Sequence, residues 1–179
     1  DELVTFNLDV ELPAGWSSVS QGTRKNYEIG VDSRHDVWVA DTPQEEIYLI
    51  SSEFTEYSQA AGVVEAMAFL RNPDSPLAQK YLDTTAQYLE MYRKLLGPYP
   101  YSKFALVENF WETGYGMPSF TLLGPRVIRF PFILHSSYPH EILHNWWGNG
   151  VYTDYEKGNW AEGLTTYLAD HLIKEQRGA

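Results

Sequence analysis

His140-Glu141-Ile142-Leu143-His144-Asn145-Trp146-Trp147-Gly148, followed by Asn159-Trp160-Ala161-Glu162-Gly163, sets both the fold class and the chemistry this chain can support. A helix advances about 100° per residue, so His140 and His144 stand on one face, one turn apart. Two imidazoles so placed hold one Zn²⁺, and Glu141 projects beside them toward a zinc-bound water. Glu162 offers a third ligand and opens a helix-like run from Glu162 to Glu175. Two His and one Glu leave the fourth position of a tetrahedral ion open, the arrangement of catalytic rather than structural zinc. Short motifs also arise by chance, and a histidine can be a satisfied core residue. Coincidence explains the downstream Asn-Trp-x-Glu-Gly poorly. His135 and His171 are not spaced as ligands and read as surface or packing residues.

Pro139 fits only the first turn of a helix, so the metal helix should begin near Ser137 or Tyr138. That puts His140 close to the positive helix end, which mildly favours nearby anionic groups.

Composition bounds the alternatives. At 179 residues the chain can bury a sizeable core, as one domain or one domain plus part of another. Apolar content of 44% and six Trp suit a globular protein rather than a disordered one. A net charge of −11 argues against nucleic acid as a partner, because phosphates need Lys and Arg to replace counterions. No apolar run of about 18 residues is present, so no transmembrane helix is expected. The absence of cysteine excludes disulfides and thiolate metal sites and leaves the compartment open. A start at Asp1 without methionine suggests a processed protein or an excised segment.

Along the chain, Leu3 to Tyr57 reads as strands. Val4 to Val10 alternates with period two before Pro13-Ala14-Gly15, and Asp36 to Ala40 and Glu46 to Ser51 add β-branched and aromatic runs. Gln59 to Gly62 reads as a turn. Val63 to Leu70 suits a strand or a short helix, and its length and the Asn72-Pro73 stop favour the strand. Asp74-Ser75-Pro76 starts a helix whose stripe of Leu77, Tyr81, Tyr88, Tyr92 and Leu95 is packing surface, and Gly97-Pro98 ends it. Tyr101 to Trp111 and Thr121 to Phe130 read as strands, the second interrupted at Gly124-Pro125, with Gly114 to Ser119 between them a loop or bulged edge. The strand Tyr101 to Trp111 is either a substrate-facing edge or an internal strand.

At these residues the chain resembles a known family. His140-Glu141-x-x-His144-Asn145-Trp146-Trp147-Gly148-Asn149 is similar to the His-Glu-x-x-His-x-Trp-Phe-Gly-Asn segment of aminopeptidase N-like (alanyl aminopeptidase) gluzincin zinc metallopeptidases. Asn159 to Gly163 is similar to that family's Trp-Leu-Asn-Glu-Gly. The likeness is dense over Tyr99 to Ala169 and thin before Pro73. It implies an α+β fold: residues 1–72 the end of an antiparallel β-domain, and residues 73–179 a thermolysin-like catalytic core, cut short at its C-terminus. It implies one zinc per chain on His140, His144 and Glu162, a peptide or protein substrate, and hydrolysis of aminopeptidase type with Glu141 as general base. A peptidase needing no free N-terminus, or a non-catalytic peptide-binding module, stays open beside it. An intact Glu141 argues against the module, since metal retention alone needs no base.

Three departures stand out. Seventeen residues separate His144 from Glu162, one fewer than the family's usual interval, a difference that the loop from Val151 to Gly158 absorbs. The family's Gly-x-Met-Glu-Asn loop, whose glutamate binds a substrate's α-amine, is here Gly114-Tyr115-Gly116-Met117-Pro118-Ser119. Gly116 and Met117 remain as candidate substrate-binding residues, Pro118 brings no carboxylate, and Glu112 or Glu108 is a candidate replacement. The family's transition-state tyrosine falls beyond Ala179. Thr166, one turn after Glu162, either reaches back to support the ligands or fills the buried helix face.

Overall fold

A computed structural model describes residues 2–176 and 178. Among the described residues, ten strands and four α-helices follow one another in an α+β arrangement. The N-terminal part holds β1 (Val4–Pro13), β2 (Ser17–Ser20), β3 (Thr23–Ile29), β4 (Ser33–Gln44) and β5 (Leu49–Ser52). They form an antiparallel three-stranded sheet ordered β1-β4-β3 and an antiparallel pair β2-β5.

From Thr55 onward the chain is built on a five-stranded sheet. Its strands are β6 (Thr55–Ala61), β7 (Val64–Leu70), β8 (Lys103–Glu108), β9 (Gly114–Met117) and β10 (Phe120–Leu123), ordered β6-β7-β8-β10-β9. The pairs β7–β8 and β8–β10 are parallel, whereas β6–β7 and β10–β9 are hairpins. Hydrogen bonding in this sheet therefore crosses residue 72.

Several local expectations need correction. Gln59 to Ala61 is strand, because the turn is the two-residue loop Gly62-Val63, where Gly62 takes φ +69° between the paired Ala61 and Val64. Val64–Leu70 is the strand that its length and the Asn72-Pro73 stop favour. Lys103–Glu108 is an inner strand, buried at all six positions and paired on both sides. The exposed edge is β9, whose only pairing among the described residues is to β10. The expected strand to Phe130 stops at Leu123, since Pro125 has no N–H to continue a ladder, and two short 3₁₀ turns, Val127–Arg129 and Pro131–His135, follow.

Period-two alternation gives the sheet two buried faces. Val64, Ala66, Ala68 and Leu70 of β7, with Phe104 and Leu106 of β8, meet the helices. Met67, Phe69, Ala105, Val107 and Phe120 turn the other way against Val19 and Trp38 of the N-terminal part. Helix α1 (Ser75–Leu96) covers the first face with Ala78, Tyr81, Leu82, Thr85, Tyr88, Leu89 and Tyr92. The Asp74 side chain caps it by accepting from the Leu77 N–H at 3.0 Å, and Gly97 at φ +101° closes it.

This layer carries helix α2 (Ser137–Leu143), which bears His140 and Glu141 and starts where Pro139 allows. Tyr138, Ile142 and Leu143 are buried. Tyr138 lies edge-on to Tyr81 and Phe104, and its hydroxyl hydrogen-bonds Thr85 Oγ1 at 2.6 Å. Just beyond, Trp146 packs against Tyr92 and Tyr99 and donates to the Gly97 carbonyl at 3.2 Å. Burying a side chain of this size contributes about 1.5–3 kcal/mol, so the apolar side of the motif holds the helix down and leaves the polar side free. The chain then runs through α3 (Trp160–Thr166), a π-helical stretch Tyr167–Leu172, and α4 (Ile173–Gln176). Among the described residues, no helix is long and apolar enough to cross a membrane.

Candidate metal centre

His140, Glu141 and His144 face away from the core, toward Glu162 on the first turn of α3. Asn159 caps that turn, accepting from the Glu162 N–H at 3.4 Å. The imidazole Nε2 atoms of His140 and His144 are 3.0 Å apart. The Glu162 carboxylate oxygens lie 3.3 Å from His140 Nε2 and 3.0 Å from His144 Nε2. A tetrahedral zinc with bonds of about 2.0–2.1 Å separates its ligand atoms by about 3.3 Å. Two imidazole nitrogens, a carboxylate and this spacing fit such an ion, and among the described residues they are the group able to hold a metal.

Electrostatics agree with that fit. Burial holds the His144 imidazole below its ordinary range against the opposing pull of Glu162, which keeps a nitrogen lone pair available. Burial, and then repulsion from Glu162, lifts the Glu141 carboxyl from 4.5 to about 7. A carboxylate so placed is a strong proton acceptor near neutral pH.

Three ties fix the arrangement. The Trp147 indole donates to Oγ1 of the buried Thr165 at 2.6 Å, joining the loop after α2 to the helix of Glu162. The Asn149 N–H donates to the His144 carbonyl at 2.9 Å. Gly116, on the exposed edge β9, stands against Glu141: a Cβ there would collide with the Glu141 carboxylate. Glycine is what lets the strand backbone pass beside the acid.

A cavity of about 330 Å³ opens over these groups, lined by Glu45, Tyr115, Gly116, Asn149 and Tyr155 together with the four acid and imidazole side chains. Gly116 thus reaches the site, while Met117 packs against the second core face. Glu108 and Glu112 lie elsewhere. Glu108 is buried and accepts from the Arg71 N–H at 2.8 Å and from Arg129 Nη1 at 2.9 Å. Glu112 accepts from the Arg126 N–H at 3.1 Å, beside a separate cavity of about 560 Å³. Thr166 is exposed, and the buried threonine is its neighbour Thr165. His171 lies tilted against the Tyr167 ring, and His135 approaches the Tyr88 hydroxyl, so neither joins the group able to hold a metal.

Sequence reasoning missed Glu45, Tyr155 and Asn145. Glu45 comes from the end of the N-terminal sheet, 95 positions before His140, and no local pattern links the two. The Tyr152 hydroxyl holds its loop by donating to the Pro43 carbonyl at 2.7 Å.

With fold and site described, the comparison with known proteins is informative. No protein-family model and no curated protein matches the chain. Its fold is that of M1 zinc metallopeptidases. The M1 zinc metallopeptidase from Deinococcus radiodurans superposes with a TM-score of 0.73 at 17% identity, covering 97% of this chain and 41% of that one. A glutamate-to-alanine mutant of the enzyme from the same organism, bound to a Tyr-Ser-Ala substrate, gives 0.75 at 16% identity over 98% and 41%. A two-domain M1 zinc metallopeptidase mutant bound to L-arginine gives 0.74 at 16% identity, again over 98% and 41%. The chain therefore spans about two fifths of the length of the structures it resembles.

Proposed function

We propose that this chain is the metal-bearing part of a zinc-dependent peptidase with a thermolysin-like core, hydrolysing peptide bonds from a free N-terminus. The observation that carries this reading is the triangle of His140, His144 and Glu162, with the half-buried Glu141 carboxylate beside it and an open strand edge alongside.

His140, His144 and Glu162 would hold one zinc, which supplies Lewis-acid polarisation of the scissile carbonyl. Glu141 takes a proton from the attacking water and returns it to the leaving amine. The edge β9 accepts an extended peptide as an added strand, and Gly116 brings that peptide beside Glu141. Glu45 is a carboxylate on the cavity wall, and no Lys or Arg among the described residues lines the same cavity, which favours a substrate ammonium group there. With Glu108 and Glu112 engaged by arginines or backbone, Glu45 is the residue that supports the aminopeptidase reading over a peptidase indifferent to the N-terminus. The half-buried Glu141, repelled by Glu162, disfavours a non-catalytic module, where an apolar residue would be more stable.

The test is metal content and cleavage of a mixed peptide pool by the full-length protein. About one zinc per chain is expected, lost in His144→Ala, and Glu141→Gln should keep the metal while turnover falls on the order of 10²-fold or more. Full zinc occupancy in His144→Ala, or normal turnover in Glu141→Gln, overturns the assignment.

A further inference from the structure

Asn145 follows the second histidine directly, yet its side chain points into the protein and is fully buried. Three of the four hydrogen-bonding positions of its amide are used. Oδ1 accepts from the Ser119 N–H at 2.7 Å, and Nδ2 donates to the carbonyls of Glu141 and Ile142, each at 3.1 Å. Those carbonyls belong to the last turn of α2, where a helix runs out of i+4 donors; that of Ile142 also accepts from the Asn145 N–H at 3.2 Å. No other side chain of this size supplies one acceptor and two donors in that order: Asp would set an anion against two carbonyls, and Leu would take the side-chain partner from the Ser119 N–H and from the Glu141 carbonyl.

The other end of the tie is equally fixed. Ser119 closes the hairpin between β9 and β10 and is a non-glycine residue with positive φ, +69°, fully buried. Its carbonyl accepts from the Ala105 N–H at 3.1 Å. Its hydroxyl oxygen accepts from the Gly22 N–H at 3.1 Å and from the buried Lys103 at 2.8 Å. Lys103 sits against the rings of Trp38 and Phe120. Ser119 is thus bolted to the central strand and to the N-terminal sheet, and Asn145 hangs the metal helix from it.

We infer that Asn145, anchored through Ser119 and Lys103, is a positioning residue that sets how the Glu141 carboxylate stands relative to the substrate edge β9. Gly116 lies three residues before Ser119 and touches the space of Glu141, so a shift of the helix end against the hairpin changes that approach directly. The inference rests on the peptidase reading above.

The experiment uses the full-length, zinc-loaded enzyme and three variants: Asn145→Ala, Asn145→Asp, and Val107→Ala as a core-destabilised control on the opposite face of the sheet. Asn145→Ala should keep its zinc, lose hydrogen-exchange protection at the Ser119 amide, and lose about 10- to 100-fold in kcat with a much smaller change in KM, the scale of a misplaced catalytic group. Asn145→Asp should keep the Ser119 protection, through its remaining acceptor, and still lose kcat. Val107→Ala should lower the melting temperature with kcat retained. Wild-type kcat in Asn145→Ala, unchanged Ser119 protection in that variant, or an equal kcat loss in the control overturns the inference. A wild-type enzyme that cleaves no peptide overturns the peptidase reading instead, and this inference with it.

Discussion

Replacing Glu141 by Gln should stabilise the metal-free protein while removing its activity, and the gain should depend on pH in a set direction. Burial raises the folded-state pKa of Glu141 to about 7 from 4.5. Between these values the folded chain holds a proton that the unfolded chain has released, so folding stability falls as pH rises from about 4.5 to 7 and stays low above. The shift corresponds to about 3 kcal/mol as an upper figure, since each pKa unit is about 1.4 kcal/mol. Relaxation around the charged acid and its coupling to Glu162 reduce this to about 1–3 kcal/mol. Gln carries no charge and escapes the penalty. Urea unfolding in the presence of a chelator should therefore show Glu141→Gln and wild type nearly equal at pH 4. At pH 8 the variant should be ahead by about 1–3 kcal/mol, or about 2–12 °C in melting temperature for a chain of this size. Adding zinc should shrink the gap, because the cation neutralises the repulsion that Glu162 imposes. A gap of equal size at both pH values, or none at pH 8, would refute the reasoning that burial is what perturbs this acid.

Further outcomes follow from single contacts. Gly116→Ala puts a methyl into the space of the Glu141 carboxylate, so hydrolysis should drop at least about 10-fold with zinc content unchanged; kinetics and metal analysis on the same preparation check this. Thr165→Val leaves the Trp147 indole N–H without its acceptor, which should cost about 1–3 kcal/mol in urea unfolding and weaken zinc retention by loosening the helix of Glu162. If Glu45 meets a substrate ammonium, kcat/KM for a free peptide over its N-acetylated form should favour the free form. Glu45→Gln should erase up to about 10-fold of that preference, modest because Glu45 is exposed. An undiminished preference in that variant would place the anchor outside this chain.

The part of the site that was legible in sequence is the part written in short-range periodicity. His140 and His144 share a face because they are one turn apart, and Glu162 follows a capping Asn159 within a few residues. Helix α1 was legible from Asp74 to Gly97 for the same reason. What depends on pairing between distant segments was not. The order β6-β7-β8-β10-β9 puts Lys103–Glu108 inside the sheet and leaves Gly114–Met117 as the edge, although both are short and the inner one carries a lysine and a glutamate. Glu45, Ser119 and Asn145 acquire their roles only through contacts across this topology. Thr166 was misplaced by helical phase: Ala161, Thr165 and Ala169, spaced by four, form the buried row, so the residue one turn from Glu162 stays on Glu162's own outward side. The π-helical stretch from Tyr167, which shifts the phase again, has no signature in the residues that form it.

The crossing of the five-stranded sheet over residue 72 also bears on how the chain reaches its fold. β7 is made before α1, and its partner β8 emerges only after that whole helix, because parallel neighbours need a long crossover. Until then the β6–β7 hairpin, rich in Ala, Met, Phe and Leu, presents an open hydrogen-bonding edge, the kind of surface that pairs with other chains. A fragment ending before Lys103 would keep that edge for good and should aggregate, and one beginning after Asn72 would expose the matching edge of β8. The strands on either side of residue 72 therefore have to fold as one sheet.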